Sequence, residues 1–338
     1  MTGNVIAESN VSRYLSWHLF FWGILCGLVG LALSFAGATG HILAELFDLH
    51  GSAGPLEHIV LSLGGLLTLA GVVLIVVDIT LMLPLRRRHP RLTEGDGFAV
   101  SGVTVALTAY NDEESIGPSV KDFLSHPLVK RVIVVSNNSK DRTFEFAQQA
   151  GAVVFNELQP GYGRCVHRCL TEALAYEDTE CVALCEGDMT FRARDLTKLL
   201  AYLPHAEIVN GTRIVEQLRA YETQLSTFMY YGNFFVGKLL EAKHFGNGTF
   251  TDVGTTYKIL RRPALRRLMP HLNPAVNLEF NAHFLDTALG RSFLMIECPI
   301  TFHARVGRSK GGNVNDFRAL KVGMRMILGL IFGWKRPK

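Results

Sequence analysis

The sequence predicts an α/β domain on a mainly parallel sheet, preceded by a two-helix transmembrane hairpin. Three observations carry this reading. Two apolar runs near the start, Leu15 to Ala44 and Ile59 to Leu83, together contain one ionisable carboxylate, Asp78, and no Lys or Arg. After them, short apolar segments alternate with segments of helical pattern. Most of those apolar segments end in a polar or glycine-rich loop.

Composition agrees. Of 338 residues, 48% are hydrophobic and 19% charged, which excludes a disordered chain and a disulfide scaffold. The net charge of +4 comes without a long basic stripe, so no nucleic-acid partner is expected.

Each apolar run is long enough for a bilayer core, which takes about 20 helical residues. Helices are expected at about 15–40 and 58–85, within a hairpin domain 1–92. The linker from His41 to His58 carries Glu45, Asp48 and Glu57 and no Lys or Arg, whereas Arg86, Arg87, Arg88 and Arg91 follow the second run. Positive charge marks the cytoplasmic side. Both hairpin ends and the following domain are therefore expected in the cytoplasm, with the linker outside. The first run is too long for a signal peptide, and only Arg13 precedes it. Asp78, close to the Arg cluster, reads as interfacial rather than as a proton relay.

The cysteines Cys165 and Cys169, like Cys181 and Cys185, are spaced i,i+4 rather than as Cys-x-x-Cys, and with Cys26 and Cys298 they read as packed thiols. No His-Glu-x-x-His supports zinc hydrolysis.

Past the polar linker Thr93 to Gly97, Val103 to Ala109 reads as a buried strand ending in the loop Tyr110 to Glu114, with a helix from Ile116 to Ser125. Val132 to Val135 is a second strand, followed by the polar loop Ser136 to Asp141 and a helix from Thr143. Ala152 to Phe155 is a third. Pro160 to Gly163 opens a helix reaching Ala175. Cys181 to Cys185 is a fourth strand, ending at Glu186-Gly187-Asp188. Such alternation means a mainly parallel sheet, whose ligands sit beyond the carboxyl ends of the strands.

Glu186 and Asp188 at a strand end can hold Mg²⁺ or Mn²⁺, which prefer oxygen ligands, although such a pair also suits a surface turn. Ser136 to Asp141 suits a base or ribose, or an ordinary turn. Asn111-Asp112-Glu113-Glu114 suits a helix cap. Gly161-Tyr162-Gly163 suits backbone approach to a phosphate, with Arg164 or Arg168 nearby.

In this order the loops resemble the family-two glycosyltransferases of the GT-A fold: Ala109-Tyr110-Asn111-Asp112-Glu113, then Ser136-Asn137-Asn138-Ser139-Lys140-Asp141-Arg142-Thr143, then Gly161-Tyr162-Gly163, then Glu186-Gly187-Asp188. Ser136 stands where the family usually has Asp, and Glu186 replaces the first Asp of Asp-x-Asp. The resemblance spans Val103 to Arg308, inside an expected catalytic domain 93–312. The ending Pro299-Ile300-Thr301-Phe302-His303-Ala304-Arg305 with Gly307-Arg308-Ser309-Lys310 is similar to the polyprenyl-phosphate sugar transferases, such as dolichyl-phosphate mannose synthase.

The resemblance implies an inverting, metal-dependent transfer of sugar from a UDP- or GDP-linked donor to a membrane lipid, most simply a polyprenyl phosphate. It implies donor contacts at Ala109, Tyr110, Asn111, Glu113, Asn137, Asn138, Asp141, Gly161, Gly163, Arg164, Glu186, Gly187 and Arg213. Asp188, Glu279 and Arg305 would be catalytic, Glu186 and Asp188 would hold Mg²⁺ or Mn²⁺, and Arg305, Ser309 and Lys310 would meet the acceptor phosphate. A hydroxyl-bearing lipid acceptor and a non-catalytic nucleotide-sugar-binding relative are the alternatives, and a homo-oligomer is left open. No Gln-x-x-Arg-Trp follows Glu279, which argues against a processive polysaccharide synthase. The tail 313–338 alternates basic and apolar residues, as an amphipathic helix on the bilayer or a core-packing helix would.

Overall fold

The computed structural model describes residues 18–47, 54–84, 98–221, 223–307 and 316–334. These form two compact units: the two apolar helices with Glu241–Gly246, and the remaining described residues.

In the first unit, α1 (Leu19–Leu46) and α2 (Gly54–Val77) are long and apolar enough to cross a membrane. The expected linker is shorter than the charge pattern suggested. Both helices run on past their apolar stretches, and His41 meets Glu57 at 3.2 Å. Glycines bring the two backbones together. A Cβ on Gly30 would lie 2.7 Å from the Gly64 carbonyl, and one on Gly71 2.6 Å from that of Gly23. Small residues permit such approach where lipid gives no hydrophobic drive between helices. Outward faces carry exposed Leu31, Phe35, Leu66 and Leu69. Asp78 is buried and accepts the Phe20 N–H at 2.9 Å, near the start of α1, where backbone donors lack helical partners. A five-residue π-helical segment, Asp78–Met82, begins there. The Arg86–Arg88 cluster lies outside the described residues.

The second unit is built on a seven-stranded sheet in the order β3-β2-β1-β4-β6-β5-β7. β1 (Val103–Ala109) is buried throughout, as a largely apolar strand of a sheet covered on both faces should be. It pairs in parallel with β2 (Val129–Ser136) and β4 (Cys181–Glu186), and β2 pairs with β3 (Val153–Asn156). The register sets Ala109 beside Ser136, Thr108 beside Glu186 and Ser136 beside Asn156. All four strands therefore end on one line, and their following loops gather along it.

Helices α3 (Glu113–Leu124), α4 (Thr143–Gln149), α5 (Tyr162–Leu174) and α6 (Arg194–Tyr202) supply the connections. β6 (Lys258–Arg261) departs from the parallel pattern. It lies antiparallel between β4 and β5 (Ile208–Thr212), and β5 pairs in parallel with β7 (Met295–Pro299). Asn210, Gly211 and Thr212 close β5. Being reversed, β6 brings the residues before it, rather than after it, to the functional edge.

α7 (Thr227–Lys243) and α10 (Asp316–Phe332) flank that edge, and α8 (Arg262–Leu268) and α9 (Phe280–Gly290) complete the unit. α10 is amphipathic. Met326, Gly329 and Leu330 are buried, whereas Phe317, Leu328 and Phe332 are exposed. Its end is anchored by Trp334, whose indole donates to Asp286 at 2.7 Å and meets the His283 ring edge-on.

His283 is a neutral core histidine. Its Nε2 accepts the Asn273 N–H at 2.9 Å, and burial pulls its pKa down to about 4. A folded-state value below the unfolded one contributes stability that is complete above pH 6.5 and is lost as pH falls towards 4. Thermal unfolding at pH 7 and pH 5 is expected to show a loss on the order of 1–2 kcal/mol from this group. His283→Gln should flatten that decline, and an unchanged decline would discount His283.

Candidate active site

The loops at the sheet's edge line a cavity of about 840 Å³. One end is polar, with Asp112, Asn137, Glu186, Asp188, Arg213 and Arg305; the other is apolar, walled by α7 and α10.

Arg305 organises the polar end. Its Nη2 donates to Asp112 Oδ1 at 2.8 Å, and its Nη1 lies 3.0 Å from Asp188 Oδ2. The segment bearing it is pinned by the Val306 N–H to the Asp188 carbonyl at 3.2 Å. Burial disfavours the guanidinium charge, but Asp188, Asp112 and Glu186 outweigh it and hold the pKa above its ordinary value. Asp188 Oδ1 accepts the Thr190 N–H at 3.1 Å, so both its oxygens are engaged. Glu186 Oε1 accepts from Thr256 Oγ1 at 2.9 Å. Burial first, then Asp188, push the Glu186 carboxyl up to about 7.

Arg213 forms the next wall, gripped by Asp252 through Nε at 2.7 Å and Nη2 at 2.8 Å. Burial disfavours both charges, yet their pairing holds Asp252 below and Arg213 above its usual range. Glu297 in turn accepts the Thr251 and Asp252 N–H groups at 2.8 and 3.1 Å. Asn137 ties two loops together, its Oδ1 accepting the Gly161 N–H at 3.0 Å and its Nδ2 donating to the Gln159 carbonyl at 3.0 Å.

Of the residues singled out from sequence, Ala109, Tyr110, Asn137, Asn138, Gly161, Glu186, Asp188, Arg213 and Arg305 line this cavity. The others do not. Asn111, at φ 50, buttresses the neighbouring loop by accepting the Lys140 N–H at 2.7 Å. Glu113 accepts the Arg142 N–H at 3.1 Å, and Asp141 accepts the Thr143 N–H at 3.0 Å. Gly163 serves packing, since a Cβ there would lie 1.7 Å from the Val276 carbonyl. Gly187 packs on Ile116, and Arg164 stands off the wall. Glu279 sits at the start of α9, buried, with Oε2 unpartnered. Ser309 and Lys310 lie outside the described residues.

Sequence reading missed other members of the site. Asp112 had been read only as a helix cap. Tyr162, Asp252, Thr256, Lys258 and Asn281 form the buried network behind the acidic tip. The signal for Lys258 was a lone charge amid the apolar letters of Tyr257-Lys258-Ile259-Leu260. Burial pulls its ammonium down to about 7, against the pull of Asp252 and Glu186.

Among the described residues no three His, Cys, Asp or Glu side chains form a metal cluster. Two carboxylates at one strand tip still suit Mg²⁺ or Mn²⁺, which commonly take one or two carboxylates and complete their shell with substrate phosphates and water.

Residues 104–269 match the model of Glycosyl transferase family 2. This stretch is a family 2 glycosyltransferase domain. An uncharacterized glycosyltransferase of Mycobacterium tuberculosis (strain ATCC 25618 / H37Rv) is 40% identical to this chain over 117 residues, 34% of this chain and 50% of that protein. The chain thus spans about half the length of the mycobacterial relatives it matches. A dolichyl-phosphate hexose transferase of Haloferax volcanii is 26% identical over 214 residues, 63% of this chain and 88% of that one. The crystal structure of glucosyl-3-phosphoglycerate synthase from Mycobacterium tuberculosis with Mn²⁺, UDP and glucosyl-3-phosphoglycerate superposes with a TM-score of 0.51 at 18% identity, covering 70% of this chain and 81% of that one. The family 2 domain accordingly has the GT-A fold.

Arg305 occupies an oxygen of Asp188 that a cation would use. Arg305→Gln is expected to bind Mn²⁺ more tightly than wild type in the absence of nucleotide, on the order of tenfold, the weight of one competing charge. Paramagnetic resonance of free Mn²⁺ measures this; equal or weaker binding would show that Arg305 does not compete.

Proposed function

We propose that the chain transfers a sugar from a nucleotide diphosphate sugar to a lipid-borne acceptor at a membrane surface. The carrying observation is the single cavity whose acidic, arginine-lined end adjoins an apolar end walled by Phe228, Tyr231, Phe235, Leu320, Met324 and Ile327. A diphosphate and a hydrocarbon chain are the two chemistries that such ends accommodate.

In this reading Asn137, Asn138 and Gly161 face the nucleoside, and Arg213 and Arg305 face the diphosphate. Guanidinium groups offer paired donors to phosphate oxygens, and here Arg213 is preorganised by Asp252. Glu186 and Asp188 would hold Mg²⁺ or Mn²⁺, which supplies Lewis-acid stabilisation of the departing diphosphate. The acceptor oxygen attacks the anomeric carbon from the opposite side, the bond to diphosphate breaks, and the leaving group departs with the electron pair. The anomeric configuration inverts.

The acceptor of choice is a polyprenyl phosphate. The 26% identical dolichyl-phosphate hexose transferase supports this class of acceptor. A phosphate acceptor needs no base; a hydroxyl acceptor would give its proton to a carboxylate, and this reading assigns that part to Glu279, which stands between the cavity-lining Leu278 and Asn281 and would have to turn its buried Oε2 into the cavity. The hairpin would hold the catalytic unit on the cytoplasmic face, and α10 would lie along the bilayer, bringing an insoluble acceptor within reach.

The purified protein, Mn²⁺, UDP- or GDP-sugars and polyprenyl phosphate should together release nucleotide diphosphate and form an acid-labile sugar phosphodiester. Asp188→Asn is expected to lower turnover on the order of a hundredfold or more. Full turnover by this variant would overturn the assignment of the acidic tip. A product stable to mild acid would indicate a hydroxyl acceptor, for which Glu279→Gln should be impaired.

A further inference from the structure

Behind the acidic tip lies a lysine that the transfer reaction does not itself use. Lys258 opens β6 and is fully buried. Its Nζ donates to the Thr255 carbonyl at 2.7 Å, the Thr256 carbonyl at 3.3 Å and Asn281 Oδ1 at 3.4 Å. Three acceptors around one nitrogen match the three protons of an ammonium, which has no lone pair to offer. Burying a cation is costly. Plain strand packing would be served by an apolar side chain such as its neighbour Ile259.

The direction of the surrounding hydrogen bonds follows from that charge. Asn281 must turn its oxygen to Lys258, so its Nδ2 faces the other way. There it donates towards Thr256 Oγ1 at 3.2 Å, the Tyr162 hydroxyl at 3.2 Å and the Gly254 carbonyl at 3.1 Å. Thr256 Oγ1 receives that donor and directs its own proton to Glu186 Oε1. The contact between the Tyr162 hydroxyl and Thr256 Oγ1 then has tyrosine as donor. With an apolar side chain at position 258, only the Gly254 carbonyl still opposes the amide's turning over. The amide oxygen would then take the Thr256 proton, and Glu186 would lose its donor.

We infer that Lys258 is a positioning residue for the donor–cation site: it fixes the polarity of an Asn281–Thr256 relay that keeps a hydroxyl donor on Glu186. This rests on the reading of Glu186 and Asp188 as the place where cation and diphosphate meet. Lys258 touches neither, and acts through two residues, Asn281 and Thr256.

The test is Mn²⁺ binding to the full chain, with and without UDP, read by paramagnetic resonance beside the melting temperature. Lys258→Met is expected to lose about tenfold to a hundredfold in Mn²⁺ affinity, the scale for residues that orient metal ligands. Its melting temperature should hold or rise, an outcome that a merely structural role would reverse. Thr256→Val removes the hydroxyl on Glu186 and should cause a similar loss. The double variant should lose no more than either single one, because both act through one hydrogen bond. Wild-type affinity in Lys258→Met, or fully additive losses, would overturn the inference. If Lys258→Met does not fold, Thr256→Val decides, and unchanged Mn²⁺ affinity there overturns it equally. Wild-type protein that ignores both Mn²⁺ and UDP overturns the underlying site reading instead, a failure visible without any variant.

Discussion

Arg305 and the carboxylates it bridges set the terms for everything around them. Asp112 and Asp188 come from loops after two neighbouring strands, β1 and β4, and the guanidinium between them arrives from beyond β7. Like charges brought so close out of water repel strongly unless a countercharge joins them. The parallel register that ends β1, β2 and β4 on one line makes this crowding unavoidable. A positive group at that edge is therefore a condition of the fold as much as an instrument of the chemistry.

The same electrostatic requirement propagates outward. Arg213 is buried and needs Asp252; Asp252 is buried and draws on the backbone N–H groups of Arg213 and Gly254 as well as on the Arg213 guanidinium; Glu297 secures the backbone of both Thr251 and Asp252. Each member would be costly alone, and together they leave few unpaired atoms. Such a network favours one arrangement of its side chains, which is what the proposed site for a flexible diphosphate requires. Stiffness there contrasts with the apolar end of the cavity, where Phe228, Tyr231 and Phe235 on one helix remain largely exposed.

Much of this architecture was legible in the sequence, and the reasons differ by element. β1 was read to its ends because seven consecutive residues alternate little in polarity and all are buried. The four loops were found because parallel strands discharge their polar chemistry on one edge. The acid facing the cavity was misplaced by one position, at Glu113 instead of Asp112. Asn111 adopts a left-handed backbone, which turns the chain before the helix and sends the next side chain inward. The antiparallel strand β6 escaped notice because alternation alone does not give strand direction. With it went the network of Thr256, Lys258 and Asn281, whose members lie far from Glu186 in the chain and meet only once β6 is reversed.

That reversal has an evolutionary corollary. The chain leaves the sheet after Thr212 and re-enters it at Lys258, and a two-pronged ion pair between Arg213 and Asp252 buckles the departure to the approach. Whatever is spliced between those two residues begins and ends at a fastened clasp, so its length and composition can drift without slackening the sheet. The arginine proposed to meet a phosphate thus forms, with its carboxylate partner, the seam of an exchangeable cassette, and diversification of the molecules accepted can proceed by swapping the cassette while the seam stays sewn.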